Sequence, residues 1–165
     1  MAGNDAKESL FQEVVAGNQR RIQAIARSYA RGEEQKDLCQ EILLQMWKGL
    51  DGFQGKSAPS TWVYRVALNT AITYCRKKGR RIEPVSQSLT ESGLDPVAPS
   101  NPANAMLILE EFLYSLGEID RAVFLLYLDD LSYREISEVT GLTENHVGVR
   151  ICRLKKTFMQ SYCGG

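Results

Sequence analysis

Histidine is almost missing from this chain of 165 residues: His146 is the single one. Cysteine is sparse too, at positions 39, 75, 152 and 163, and no two of them form a CxxC pair. These scarcities argue against a structural zinc site, which needs about four Cys or His ligands at close spacing. The cysteines read instead as reduced, buried structural thiols of a cytoplasmic protein, not as a disulfide frame. Long apolar runs are lacking, and nothing approaches the roughly 20 residues of a membrane span. The opening stretch, MAGNDAKESLFQE, has no apolar core, so no signal peptide and no membrane insertion are expected. There is no strand-like alternation of any length, no nucleotide-binding glycine loop and no pair of metal-binding carboxylates. Little is left from which to build catalysis, and the chain reads as a non-enzyme with no cofactor and no metal.

Net charge is missing in total, with 20 Lys+Arg against 20 Asp+Glu, but not locally. Residues 1–81 hold 14 bases and 8 acids, and 145–165 hold four bases and no acid. Between them, 82–104 hold three acids and no base, and 105–144 hold nine acids against Arg121 and Arg134. Two basic zones separated by acidic ones imply anionic partners at defined places, not a generally adhesive surface.

Proline is scarce and confined. Four of its five copies fall in RIEPVSQSLTESGLDPVAPSNPAN, residues 81–104, with Ser, Gly and Asn and almost no periodic apolar signal. A structureless loop that long is uncommon inside one domain, so the segment reads as an extended linker. The expected organisation is all-α: a helical domain over 1–81, a flexible linker over 82–104, and a second helical domain over 105–165.

The first domain shows apolar residues at spacings of three and four in ESLFQEVVAGNQRRIQAIARSYA, with an expected break near Gly17-Asn18. The stretch EEQKDLCQEILLQMWKGL has a wide apolar stripe, much of which should be buried. After a Gly/Ser/Pro loop, Ser60 or Thr61 is expected to cap the helix that begins WVYRVALN, and Gly79 to end it.

The most specific motif lies in the second domain, LSYREISEVTGLTENHVGVRICRLKK. Ser132 with Glu135 three residues on has the form of a capping box. Gly141 suits a sharp turn, Leu142 can plug the angle between helices, and Thr143 can cap the second helix. Val147, Ile151 and Leu154 form its inner face. Glu144, Asn145, His146, Gly148, Val149, Arg150, Arg153 and Lys156 then share the outer surface. This is a helix-turn-helix, with a second helix of the right diameter for the major groove of DNA.

With these residues in view, the chain resembles a bacterial RNA polymerase sigma factor of the extracytoplasmic-function (ECF) type. The runs that carry the resemblance are SLGEIDRAVFLLYLDDLSYREISEVTGLTENHVGVRICRLKK in the second domain, and DLCQEILLQMWKGLDGF with STWVYRVALNTAITYCRKKGRR in the first. Departures are Gly117 in place of a usual proline, Cys75 in place of an aliphatic residue, and Gly148-Val149 in place of a more usual Lys-Ser pair.

The resemblance implies a promoter-specificity subunit that binds core RNA polymerase and directs transcription initiation. Asp37, Gln40, Glu41, Met46 and Trp47 would dock on the polymerase. Lys56, Ser60, Trp62, Arg65, Asn69, Tyr74, Arg76, Lys77, Arg80 and Arg81 would engage the melted minus-ten element. Thr143, Glu144, Asn145, His146, Arg150, Arg153 and Lys156 would read the minus-thirty-five element as duplex. The basic run behind Tyr74 suits such a role, because single strands are held by cationic grooves with aromatic faces for unstacked bases. Trp62 and Tyr64, beside the Gly/Ser/Pro loop, are placed to form a base pocket. An anti-sigma factor is the further partner implied, and the free protein is expected to be a monomer. The alternative is a stand-alone helix-turn-helix regulator, which predicts dimers and palindromic sites.

Overall fold

The structure is a computed structural model, and it describes residues 2–53, 55, 57–79 and 102–163. Lys56, Arg80, Arg81 and all but the last three residues of the expected linker lie outside the described residues. The chain divides into two compact units on either side of the 81/82 boundary. All regular structure among the described residues is helical.

The first unit contains α1 (Ala2–Tyr29), α2 (Glu34–Gly49) and α3 (Pro59–Lys77), each packed on the other two. The expected break at Gly17-Asn18 is absent, and α1 runs straight through it. A glycine in a helix costs about 1 kcal/mol relative to alanine. Each of the side chains that α1 buries around it, among them Val14, Ile22 and Ile25, contributes roughly 1.5–3 kcal/mol. Burial wins. Asn18 is also satisfied within the helix: its amide donates to the Val14 carbonyl at 2.8 Å and accepts from Arg21 at 2.9 Å.

In α2 the buried stripe is narrower than the sequence suggests. Leu38, Ile42 and Met46 are fully enclosed, whereas Leu44 is 44% exposed. A 3-10 turn, Leu50–Gly52, follows. Neither Ser60 nor Thr61 caps α3. The N-cap is Ala58, with no side-chain bond, and Pro59 takes the first helical position. Proline suits that position because its fixed φ is already helical and its missing N–H would have gone unpaired. Gly79, at φ 70°, follows the last turn in the left-handed region, as expected at that helix end. The Cys75 thiol donates to the Tyr29 carbonyl at 3.3 Å, tying the end of α3 to the end of α1.

The second unit holds α4 (Pro102–Ser115), α5 (Glu118–Leu128), α6 (Tyr133–Thr140) and α7 (Glu144–Phe158), then a π-helical turn over Met159–Cys163. The start of α4 at Pro102 falls inside the segment expected to be linker, since proline again opens a helix. Phe112, Leu113 and Leu116 of α4 pack with Phe124 of α5 and Leu154 of α7. Phe112 meets Phe124 and Phe158 edge-on, with ring centroids 5.4 and 5.0 Å apart. Arg121 is wholly enclosed, and its guanidinium donates to the Tyr114 and Leu116 carbonyls at 2.8 and 3.0 Å. It thereby closes the C-terminal end of α4, where carbonyls lack helical partners.

Candidate nucleic-acid interface

The local rules of α6 and α7 produce the helix-turn-helix directly. The Glu135 backbone N–H donates to Ser132 Oγ at 3.2 Å, and the Ser132 N–H donates to the Glu135 carboxylate at 2.7 Å. Hydrogen bonding to the carboxylate, from the Ser132 backbone first and from the Ser132 side chain second, pulls the Glu135 pKa below the usual carboxylate value. Gly141 ends α6 at φ 79°, a conformation that suits glycine. Ser137 Oγ donates to the Leu142 carbonyl at 2.5 Å, and the Leu142 N–H donates to Thr140 Oγ1 at 3.3 Å, which pins the turn. Thr143 Oγ1 then accepts from the His146 N–H at 3.2 Å and caps α7.

Val147, Ile151 and Leu154 of α7 are buried against the unit. On the opposite side, Asn145, Val149, Cys152 and Lys156 recur at spacings of four, three and four, and all are exposed. Glu144, His146 and Arg153 flank this crest, also exposed. Arg150 departs from the expected pattern. It is half-buried and ion-paired with Asp120 of α5, and Arg153 lies 3.5 Å from the same carboxylate. Asp120 was not singled out by the sequence, because the bond crosses 30 positions. Exposed Cys152 also departs from the expectation of buried thiols, whereas Cys75 is buried and Cys39 half-buried. Burial pushes the Cys39 thiol pKa up.

In the first unit, Arg65, Asn69, Arg76 and Lys77 are exposed along α3. Trp62 is half-buried, with its ring 5.2 Å from that of Phe53 at the start of the loop. Ser60 is half-buried beside it. Tyr64 does not join this surface: it is 4% exposed, and its hydroxyl accepts from Arg21 at 2.9 Å. Farther along, Asn69, Thr73, Tyr74 and Lys77 of α3 and Glu41 and Gln45 of α2 line a groove of about 480 Å³. The Tyr74 hydroxyl is buried there without a hydrogen-bond partner.

On α2, Asp37 and Gln40 are exposed, while half-buried Glu41 accepts from Gln45 at 2.9 Å. Met46 is fully enclosed and supports the helix from within, so it is withdrawn as a contact residue. Trp47 packs edge-on to Phe11 at 5.2 Å, with the Lys7 ammonium 4.5 Å from its ring centre. Among the described residues no cluster of potential metal ligands occurs, and no helix is long and apolar enough to cross a membrane.

Two helical units, the second a capped helix-turn-helix with an exposed crest, define a DNA-binding protein of two-part architecture. A family model described as Sigma-70 region 2 matches residues 14–81, and one described as Sigma-70, region 4 matches 106–158. The chain is 32% identical over 161 residues to the ECF RNA polymerase sigma-E factor of Escherichia coli K12, covering 90% of this chain and 84% of that protein. The sigma-E factor of Haemophilus influenzae is 29% identical, covering 88% and 84%. The chain therefore belongs to the ECF family of RNA polymerase sigma factors. Such proteins serve promoter-specific transcription initiation as non-enzymatic subunits. The fold is shared with the sigma factor RpoE of Bartonella quintana, solved with the anti-sigma factor NepR (TM-score 0.71, 19% identity, 92% and 95% covered). It is shared also with CnrH, solved with the cytosolic domain of CnrY (TM-score 0.65, 21% identity, 92% and 86% covered).

Proposed function

We propose that the two units grip promoter DNA at separate places and in different states. Residues 105–165 read the minus-thirty-five element as duplex, 1–81 hold the melted minus-ten strand, and 82–104 tether them. The single observation that carries this reading is the crest of α7, exposed opposite the buried Val147, Ile151 and Leu154. Asn145 and His146 present hydrogen-bonding groups to base edges, Thr143 and Glu144 stand at the helix start, and Lys156 and Arg153 meet phosphates. Arg150 acts mainly by fixing the helix against Asp120.

On the first unit, Arg65, Arg76 and Lys77 track the strand backbone, with Arg80, Arg81 and Lys56 extending the positive path. Trp62 with Phe53 gives an aromatic face near Ser60, and Asn69 and Tyr74 supply polar groups. Extruding a base costs a few kcal/mol, and each stacked base returns about 1–3 kcal/mol. A small platform with phosphate contacts can therefore tip the balance. Asp37, Gln40 and Glu41, with the flanking Trp47, form the surface offered to core polymerase.

The formally neutral chain has little non-specific attraction for free DNA. It should work as a cytoplasmic monomer that binds promoters only when polymerase holds it. An anti-sigma factor is a further partner on this reading, as NepR is for the Bartonella quintana sigma factor RpoE. The test is run-off transcription with core polymerase and mapped start sites. A common two-part sequence upstream of those starts supports the proposal. Failure to bind core polymerase at any salt concentration would sink it, as would tight binding of free palindromic duplex by a dimer.

A further inference from the structure

The crest of α7 carries at its centre an apolar residue that polar readout does not use. Val149 is 57% exposed there, between Asn145 and Cys152. Its neighbour Gly148 has no side chain, and that space is taken: a Cβ at 148 would lie 3.3 Å from the ring of Tyr133 of α6. Tyr133 itself is 41% exposed. Positions 148 and 149 thus carry no long hydrogen-bonding arm, and Val149 presents a short apolar side chain.

We propose that Val149 is a specificity-determining residue that reads the C5-methyl group of a thymine in the duplex element. This deepens the duplex-reading role given to α7 above and rests on it. Valine has no group that can donate or accept, so it cannot match the hydrogen-bonding pattern of any base edge. The thymine methyl is the apolar feature that the major groove displays. Val149 stands four residues beyond Asn145, about 6 Å along the helix axis. That is roughly two base-pair steps of about 3.4 Å. Asn145 is suited to an adenine N6/N7 edge, so adenine and the thymine read by Val149 should stand one or two base pairs apart.

The experiment uses the full chain bound to core polymerase on the upstream element that start-site mapping identifies. Each thymine in turn is replaced by deoxyuridine, which deletes only the methyl, and promoter occupancy is measured for the wild type and for Val149→Ser. Position 149 is exposed, so the variant should fold, and circular dichroism checks that it does. The expected result is one thymine whose replacement lowers wild-type occupancy about fourfold, the factor for one buried methyl-sized group. Val149→Ser should be insensitive to the same replacement. If every replacement is neutral, or if both proteins lose equally, while scrambling the element still abolishes occupancy, the role of Val149 is refuted and duplex reading survives. If scrambling has no effect, duplex reading itself is refuted and this inference falls with it.

Discussion

Arg121 offers the sharpest test of how the second unit is held together. Its guanidinium is fully enclosed and donates to two carbonyls at the end of α4. The Tyr114 ring stands 5.0 Å from it. Arg121→Met keeps most of the apolar stem but removes the donors. Leaving a buried acceptor unpaired costs about 1–3 kcal/mol, so losing both bonds costs roughly 2–6 kcal/mol. Relief from burying a cation offsets part of that, which puts the net loss near the lower end, about 2 kcal/mol. The assay exploits the position of both tryptophans, Trp47 and Trp62, in the first unit. Tryptophan fluorescence therefore reports unfolding of that unit, while far-ultraviolet circular dichroism reports both. In a urea titration the variant should lose part of its dichroism early, with the fluorescence transition unmoved. If both signals coincide with the wild type, the idea that Arg121 closes α4 is wrong.

Gly17→Ala should stabilise the first unit by about 0.5–1 kcal/mol, because α1 is continuous and nothing lies within 4 Å of a Cβ there. A lower fluorescence midpoint would count against an unbroken helix. Asp120→Asn removes the negative charge shared by Arg150 and Arg153. These groups are partly exposed, so the stability loss should be at most about 1 kcal/mol. Arg153 already meets phosphate on the proposed reading, so the one newly released cation, Arg150, should raise low-salt affinity for duplex, with a salt dependence steeper by about one counterion. An unchanged salt slope would refute the pairing. Glu135 has a lowered pKa in the folded state, so its contribution is present above the unfolded value of about 4.3. That contribution is lost as pH falls through the folded value. Denaturation midpoints followed by circular dichroism should show this acid-side loss in the wild type and less of it in Glu135→Gln.

Local signals were the legible part of this sequence. The capping box at Ser132 and Glu135, the Gly141 turn and the Thr143 cap each depend on residues within a few positions of one another, and all stand where the periodicity placed them. Asn145, Val149 and Lys156 of the crest followed from the same arithmetic, since the inner residues Val147, Ile151 and Leu154 define its opposite face, but exposed Cys152 did not. What the sequence concealed was long-range or balanced between competing terms. Asp120 reaches Arg150 across a turn and a whole helix, and Arg121 reads as one charge in an acidic stretch until its neighbours enclose it. At Gly17-Asn18 local propensity favoured a stop, and tertiary burial overrode it. At Ala58-Pro59 two hydroxyls downstream drew attention from the proline that opens the helix. Met46 and Trp47 adjoin in sequence but face different surroundings, which only the packing of α2 on its neighbours could reveal.

The double attachment of α7 has a consequence for how such a protein could change its targets. An apolar seam holds the helix from beneath, and Asp120 grips it from the side through Arg150 and Arg153. Its rotation about its own axis is therefore set by residues that are not part of the outward row. If the outward row reads DNA as proposed, Asn145 and Val149 can be exchanged like type in a printing block, altering which sequence is picked out while the frame stays locked.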